Sequence, residues 1–388
     1  MLVTYITDAF FPEISGGSIR SYYFCRGLID YGHEVSLVTK RVQCNNGECE
    51  NHDHCMGERV AWEVLGVPGR YGSAIFPGSA MIPMLTLGSA SSYGLSKPDV
   101  VFGSSPSFGS VVSAFLAHRL FDVPLVVEFR DPWIRSFKTH NTHIYAGSPR
   151  GRVLSGIEDR ILSECSVLVV TNPGVLRELV SVHGDDLKDK ARVIYHGADI
   201  GDIYAGSPIE FEKPTILFAG RVVAEKGFAE LIEALRYLPD YQIVVCGPGD
   251  NDRLRALAEQ KSVSDRFIAL GPVPHTEIGR YMRGADMLFL GLGNSRDLEY
   301  ALPSKIFEYI ISRKPVLAFC APGGELDDFV RKTGCGLTAD AGPQELASLA
   351  EKLMEDKGDY VIDGGSVDKF SRERRSREFC SLLEEISC

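Results

Sequence analysis

No stretch of this 388-residue chain runs to about 18 consecutive apolar residues, so no membrane-spanning helix is expected. Met1 leads straight into the strand-like Leu2–Thr7 without a basic leader, so no secretory signal is read and a cytoplasmic location is expected. An excess of positive charge is missing as well. The formal net charge is −11, which argues against general attraction to nucleic acid or to an anionic membrane. The first turn after the first strand is glycine-rich but is not Gly-x-Gly-x-x-Gly, which speaks against a dinucleotide cofactor. Among the ten cysteines there is no Cys-x-x-Cys pair, and disulfides are disfavoured in a reducing compartment. Cys25, Cys165, Cys246 and Cys320 fall within or beside apolar elements and read as core thiols. Cys44, Cys49 and Cys55 cluster with His52 and His54; these thiols and imidazoles could hold a structural zinc ion, the alternative being a polar surface excursion.

What is present is the composition of a soluble globular protein, 44% hydrophobic and 24% charged, in a chain long enough for two domains. Short apolar runs alternate with amphipathic stretches throughout, which predicts α/β architecture with parallel, doubly wound sheets. The expected division is residues 1–200, a Gly-, Ser- and Pro-bearing connection up to Pro214, a second domain over 214–367, and a C-terminal helix over 368–388 with Phe370, Phe379, Leu382 and Leu383 on its apolar side. Residues 68–98 mix Gly, Ser and Pro with apolar islands; they suit helices lining a groove or resting on a membrane surface, or else an internal packed helix.

The chemistry concentrates in Phe218-Ala-Gly-Arg-Val-Val-Ala-Glu-Lys-Gly227. The stretch leaves the apolar run Thr215–Ala219 and enters an amphipathic helix at Phe228. Gly220 and Gly227 permit sharp turns and leave room for a bulky ligand. Arg221 and Lys226 place two cations at the carboxyl end of a strand, where open α/β sheets bind ligands, and next to a helix N-terminus, which favours anions. The stretch reads as a diphosphate clamp. A second stretch, Leu302-Pro-Ser-Lys-Ile-Phe-Glu-Tyr-Ile310, offers Pro303 as a first helical residue, backbone N–H groups at Ser304 and Lys305, and Glu308 one turn on. A carboxylate there suits the paired hydroxyls of a ribose.

Taken together, Gly220-Arg221, Glu225-Lys226-Gly227, Pro303-Ser304-Lys305, Glu308 and Lys314-Pro-Val-Leu-Ala318 resemble, in order and spacing, the C-terminal half of retaining GT-B glycosyltransferases. Gly16-Gly17 extends the resemblance to the N-terminal half. It implies two Rossmann-like domains facing a cleft, an N-terminal acceptor-binding domain, a C-terminal nucleotide-sugar-binding domain, and a final helix crossing back to the N-terminal domain. It also implies that the backbone around Val273 helps to hold the base, that Gly16 and Gly17 let a donor phosphate or the acceptor approach, and that no cofactor or metal ion is required. Many members carry two glutamates seven residues apart; Glu308 matches the second, whereas the first falls on Tyr300 with Glu299 one place off. In the N-terminal half, Glu128-Phe-Arg-Asp-Pro-Trp133 ends a strand and brings Arg130, Asp131 and Trp133 to the acceptor side. Asp131 is the candidate to accept or orient the acceptor's hydroxyl proton, unless it pairs with Arg130 or caps the turn before Pro132. His196 reads as a turn residue, and Asp250-Asn-Asp252 as a helix cap.

The expected activity is transfer of a sugar from a nucleotide-diphosphate sugar to a hydroxyl of a glycan, a lipid-linked glycan or a small molecule, in the cytoplasm or at the inner face of the membrane. Two rivals remain at this stage: an isomerase of the UDP-N-acetylglucosamine 2-epimerase type, and an inactive nucleotide-sugar-binding partner subunit.

Overall fold

Runs of three to seven mostly apolar residues become strands, and most of the amphipathic stretches between them become helices packed on the sheets. The computed structural model describes residues 1–11, 15–40, 63–67, 96–105, 108–132, 149–360, 362 and 364–387. The chain divides into two units, Met1–His196 with Arg372–Cys388, and Gly197–Ser371.

The first unit holds β1 (Leu2–Ile6), β2 (Glu34–Lys40), β3 (Glu63–Val67), β4 (Val100–Ser104), β5 (Leu125–Phe129), β6 (Val167–Val170) and β7 (Ala191–Val193). They form one parallel sheet in the order β3-β2-β1-β4-β5-β6-β7. Its helices are α1 (Gly16–Asp30), α2 (Phe108–Phe121), α3 (Pro149–Glu164), α4 (Pro173–His183) and the single turn α5 (Leu187–Lys190). The second unit holds β8 (Thr215–Ala219), β9 (Gln242–Cys246), β10 (Phe267–Gly271), β11 (Met287–Gly293), β12 (Val316–Cys320) and β13 (Gly336–Ala339), parallel in the order β10-β9-β8-β11-β12-β13. Its helices are α6 (Ile200–Tyr204), α7 (Phe228–Ala234), α8 (Asn251–Gln260), α9 (His275–Gly284), α10 (Lys305–Ile311), α11 (Glu325–Thr333), α12 (Pro343–Glu355) and α13 (Gly364–Asp368). The last helix, α14 (Arg372–Ser387), belongs to the first unit.

Both sheets are doubly wound, as the alternation of elements predicts. In each, the strand order reverses once, between β1 and β4 in the first and between β8 and β11 in the second. At such a reversal the loops leave in opposite directions and open a crevice at the carboxyl ends of the strands.

Several boundaries differ from expectation. The stretch from Gly201 to Pro214 is not only a connection: it begins within α6, whose side chains pack on α9 in the second unit, where Arg283 donates to the Ile203 carbonyl at 2.8 Å. Phe370 does not sit on the apolar side of the last helix. It stays with the second unit, its ring 5.6 Å from Phe307 and 5.8 Å from Phe329. Phe379 does face a core: it stacks on Phe24 at 4.2 Å and meets Phe102 edge-on at 4.9 Å. The four thiols read as core residues are all buried. The candidate zinc ligands Cys44, Cys49, His52, His54 and Cys55, and residues 68–95, lie outside the described residues.

The seam between α3 and α4 carries a buried ion pair. His183 meets Glu158 at 3.2 Å through Nε2 and Asp159 through Nδ1. Burial opposes charge on the ring, but the hydrogen bonds and charges of Glu158 and Asp159 outweigh it and raise the pKa above the ordinary 6.5. Burial also raises the Glu158 carboxyl. A group whose pKa is raised on folding lends stability that is complete below its unfolded pKa and is lost as pH rises through the folded value. Both groups therefore act in the same direction. The thermal midpoint is expected to fall as pH rises above the ordinary values of the two groups, and to fall less in His183→Gln. Equal slopes in the two proteins would contradict this.

Candidate functional site

The stretch Phe218–Gly227 lies at the reversal point of the second sheet, between the ends of β8 and β11. Local rules place it there. β8 is fully buried, and its last N–H, on Ala219, donates to the Tyr309 hydroxyl of α10 at 3.0 Å. The loop then zips onto its neighbour after β9: Gly220 N–H donates to Cys246 O at 2.8 Å and Val222 N–H to Pro248 O at 2.8 Å. Gly247 makes this approach possible, since a Cβ there would lie 1.8 Å from the Gly220 carbonyl oxygen. Asp250 completes the fastening. Its position is the N-cap of α8, yet its carboxylate makes no capping bond; Oδ2 instead accepts the Ala224 N–H at 2.9 Å. The capping role expected for Asp250 is thus replaced by a hold on the loop after β8. Gly227 ends the loop in the left-handed conformation, φ +79°, with Phe319 occupying the space a side chain would need.

This scaffold leaves Arg221 exposed and Lys226 half-buried, and neither has an ion-pair partner among the described residues. Across Gly220 stands the second motif. A Cβ on Gly220 would meet Lys305 Cε at 3.4 Å, and Lys305 Nζ donates to Glu308 Oε2 at 2.8 Å. The structure therefore brings Gly220, Lys305 and Glu308 together. Pro303 is not the first helical residue: α10 starts at Lys305, because Ser304 itself takes the flanking position and the Ile306 and Phe307 amides bond to the Pro303 and Ser304 carbonyls. Val273 sits half-buried in the turn after β10, at the sheet edge. Tyr300, where the first family carboxylate falls, is buried at 4% exposure. A hollow at the ends of β11 and β12 is lined instead by Glu299, with Leu292, Gly293, Ser295, Cys320 and Glu325.

The carboxyl ends of the first sheet hold a different set. Gly16 and Gly17 are not loop residues; they open α1, because Ser15 caps it by accepting the Ser18 N–H at 3.1 Å. Arg20, one turn on, is 2% exposed. It donates to Glu128 Oε1 at 2.8 Å, to the Tyr195 carbonyl at 2.7 Å and to the Ile194 carbonyl at 2.8 Å. Glu128, fully buried, also accepts from the Ser104 hydroxyl at 2.7 Å. Arg130 is buried at 7% exposure, with Nε on the Ser105 carbonyl, and Asp131 is half-buried beside it. Trp133 lies outside the described residues. His196 is more than a turn residue: burial, then the charges of Arg20, Arg130 and Arg372, push its pKa well below the ordinary 6.5, so the ring is neutral.

The arrangement of two doubly wound units has known counterparts. Sucrose-phosphate synthase from Thermosynechococcus elongatus superimposes with a TM-score of 0.73 at 15% identity, covering 99% of this chain and 98% of that one. The Anabaena protein HepE, in complex with UDP and glucose, superimposes with a TM-score of 0.71 at 15% identity, covering 99% and 100%. Residues 201–371 match the family Glycosyl transferases group 1, and residues 15–197 match the Glycosyl transferase 4-like domain. The chain belongs to the GT-B glycosyltransferases. Among its sequence relatives is a D-inositol 3-phosphate glycosyltransferase of Xylanimonas cellulosilytica, 29% identical over 199 residues, 45% of this chain and 46% of that one. The chain thus matches about half the length of that curated relative.

Within this GT-B chain, sequence reasoning missed Arg20, and it named Asp250 and Glu299 in other roles, as a helix cap and as a neighbour of the family position. A signal existed for Arg20. Arg20, Phe24 and Leu28 recur four residues apart, so a charge stands in the buried stripe of α1 and requires a buried counter-charge.

Proposed function

We propose that the protein is a retaining, metal-independent hexosyltransferase that moves a sugar from a nucleotide-diphosphate sugar to a hydroxyl of a glycan, glycolipid or small-molecule acceptor. One arrangement carries the reading: Arg221 and Lys226, without carboxylate partners among the described residues, stand at a sheet reversal beside the Lys305–Glu308 pair. In this reading the two cations neutralise the diphosphate as the glycosidic bond breaks, which is the charge a divalent ion supplies in other enzymes. Glu308, oriented by Lys305, takes the ribose hydroxyls. Gly220 leaves room for the phosphates, the turn after Pro303 adds the backbone N–H groups of Ser304 and Lys305, and the backbone at Val273 borders the base. In the first unit, Gly16 and Gly17 open the backbone to a phosphate, while Arg130, Asp131 and Trp133 serve the acceptor. Asp131 accepts or orients the proton of the attacking hydroxyl. The acceptor attacks from the face the nucleotide leaves. A protein of this kind works in the cytoplasm and, with a lipid-borne acceptor, at the inner face of the membrane.

UDP and glucose occupy one protein of the same fold, so uridine nucleotides come first in the test. Thermal unfolding is followed with UDP, GDP, ADP and their sugars. A ligand at one hundred times its dissociation constant adds about 2.7 kcal/mol of stability, a shift of several degrees. One nucleotide is expected to stabilise the protein, and its sugar donor to release the diphosphate only when an acceptor is supplied. No shift with any nucleotide would overturn the reading. Conversion of the sugar nucleotide without an acceptor would turn it toward isomerisation.

A further inference from the structure

Lys314 belongs to the stretches that mark the family, yet no part of the clamp uses it. It lies at the opposite end of the second sheet, where β8, β11 and β12 begin side by side. Asp286, just before β11, ties the first two together: its N–H donates to the Thr215 carbonyl at 3.1 Å, and its Oδ2 accepts the Thr215 N–H at 2.7 Å. Its other oxygen, Oδ1, accepts from Lys357 Nζ at 2.6 Å. Both carboxylate oxygens are therefore engaged before Lys314 is counted. Lys314, two residues ahead of β12, is half-buried, and its Nζ makes no hydrogen bond or ion pair among the described residues. The charged groups that act on it are Asp286 and Lys357. Glu351, Glu355 and Asp240 act on Tyr241, which also feels Asp286.

A lysine that is partly desolvated and stands near a second cation holds its proton weakly, and its amine is then a nucleophile. Both conditions are met here. Burial, together with the charge of Lys357, pushes the Lys314 amine below its ordinary 10.5 against the pull of Asp286. Replacing the ammonium by an uncharged amide ends the repulsion, lowers the burial cost and leaves the Asp286–Lys357 pair as it is. Half-burial limits the added group to a short chain. We propose that Lys314 is an acylation site, whose Nζ takes a short acyl group from an acyl phosphate or an acyl thioester. The ammonium first gives a proton to water. The neutral amine then attacks the acyl carbon, an N–C bond forms, the acyl C–O or C–S bond breaks, and phosphate or thiol departs with the bonding pair and the second proton. The site lies at the other end of the sheet from the clamp and does not depend on the transferase reading.

The test incubates the full chain near neutral pH with acetyl phosphate or, separately, with acetyl coenzyme A, and reads each lysine by peptide mass spectrometry. Lys332 and Lys352, both exposed, are the references. Lys314 is expected to gain acetyl severalfold faster than either, and the reagent that achieves this names the source. Lys357→Met removes the neighbouring cation and frees an oxygen of Asp286 to pair with Lys314. The Lys314 rate is then expected to fall severalfold, and its pH profile to move to higher pH. Asp286→Asn removes the opposing pull, so its profile is expected to move to lower pH. Either variant suffices where the other fails to fold. Acetylation of Lys314 no faster than of the two references, with both reagents, would overturn the proposal. So would a pH profile that stays in place in the folded variants, because access rather than reactivity would then set the rate. Failure of the transferase reading shows separately, as a protein that binds no nucleotide.

Discussion

Alanine at both Arg221 and Lys226 is expected to lower turnover by about 10⁴-fold while leaving the thermal midpoint of the unliganded protein unchanged. The two halves of this expectation have separate causes. Arg221 is exposed, Lys226 is half-buried, and neither is paired among the described residues, so their removal costs the fold little. In the proposed reaction, however, negative charge grows on the departing diphosphate, and a preorganised donor aimed at such charge is worth about 10²–10³ in rate. Groups that act as a unit are not additive, so the double variant falls short of the product of the single losses. The loss appears mainly in kcat if the cations act on the transition state, and stabilisation by the nucleotide weakens with it. Turnover within about tenfold of wild type would remove the clamp from the mechanism.

The second large effect concerns stability. Arg20→Met leaves Glu128 fully buried with its counter-charge gone, and breaking a buried pair in this way costs about 3–5 kcal/mol. The two carbonyls that Arg20 holds, at Ile194 and Tyr195, lose their donor at the same time. Urea denaturation is expected to show this loss, and Arg20→Met combined with Glu128→Leu is expected to recover much of it, because replacing both charges by apolar groups removes the desolvation penalty. A single variant as stable as wild type would show that Glu128 tolerates burial alone.

The loop proposed as a clamp could be located because every part of it is local: a strand, a turn of glycines and two cations within ten residues. The alternation that defines both sheets is local in the same sense. What escaped was the set of contacts between distant residues. Arg20 and Glu128 are 108 positions apart, and no periodicity in either segment names the partner. Asp250 looked like a cap because its position is one, yet tertiary packing offered the Ala224 amide a carboxylate and the cap was forgone. The start of α1 moved to Gly16 for the opposite reason: a local cap, Ser15, outweighed the low helix propensity of two glycines. The missing family carboxylate was sought at Tyr300 by spacing, whereas burial of that ring leaves Glu299 on the wall of the hollow.

The placement of α14 has a bearing on biosynthesis. Phe379 fills the middle of an aromatic cluster with Tyr5, Phe24 and Phe102, residues translated well before it. Residues 197–371, by contrast, form their unit without interruption. The ribosome therefore releases everything the second unit needs before it releases the piece that seals the first, and the nascent first unit waits with an apolar seat open. The half translated first is the half completed last.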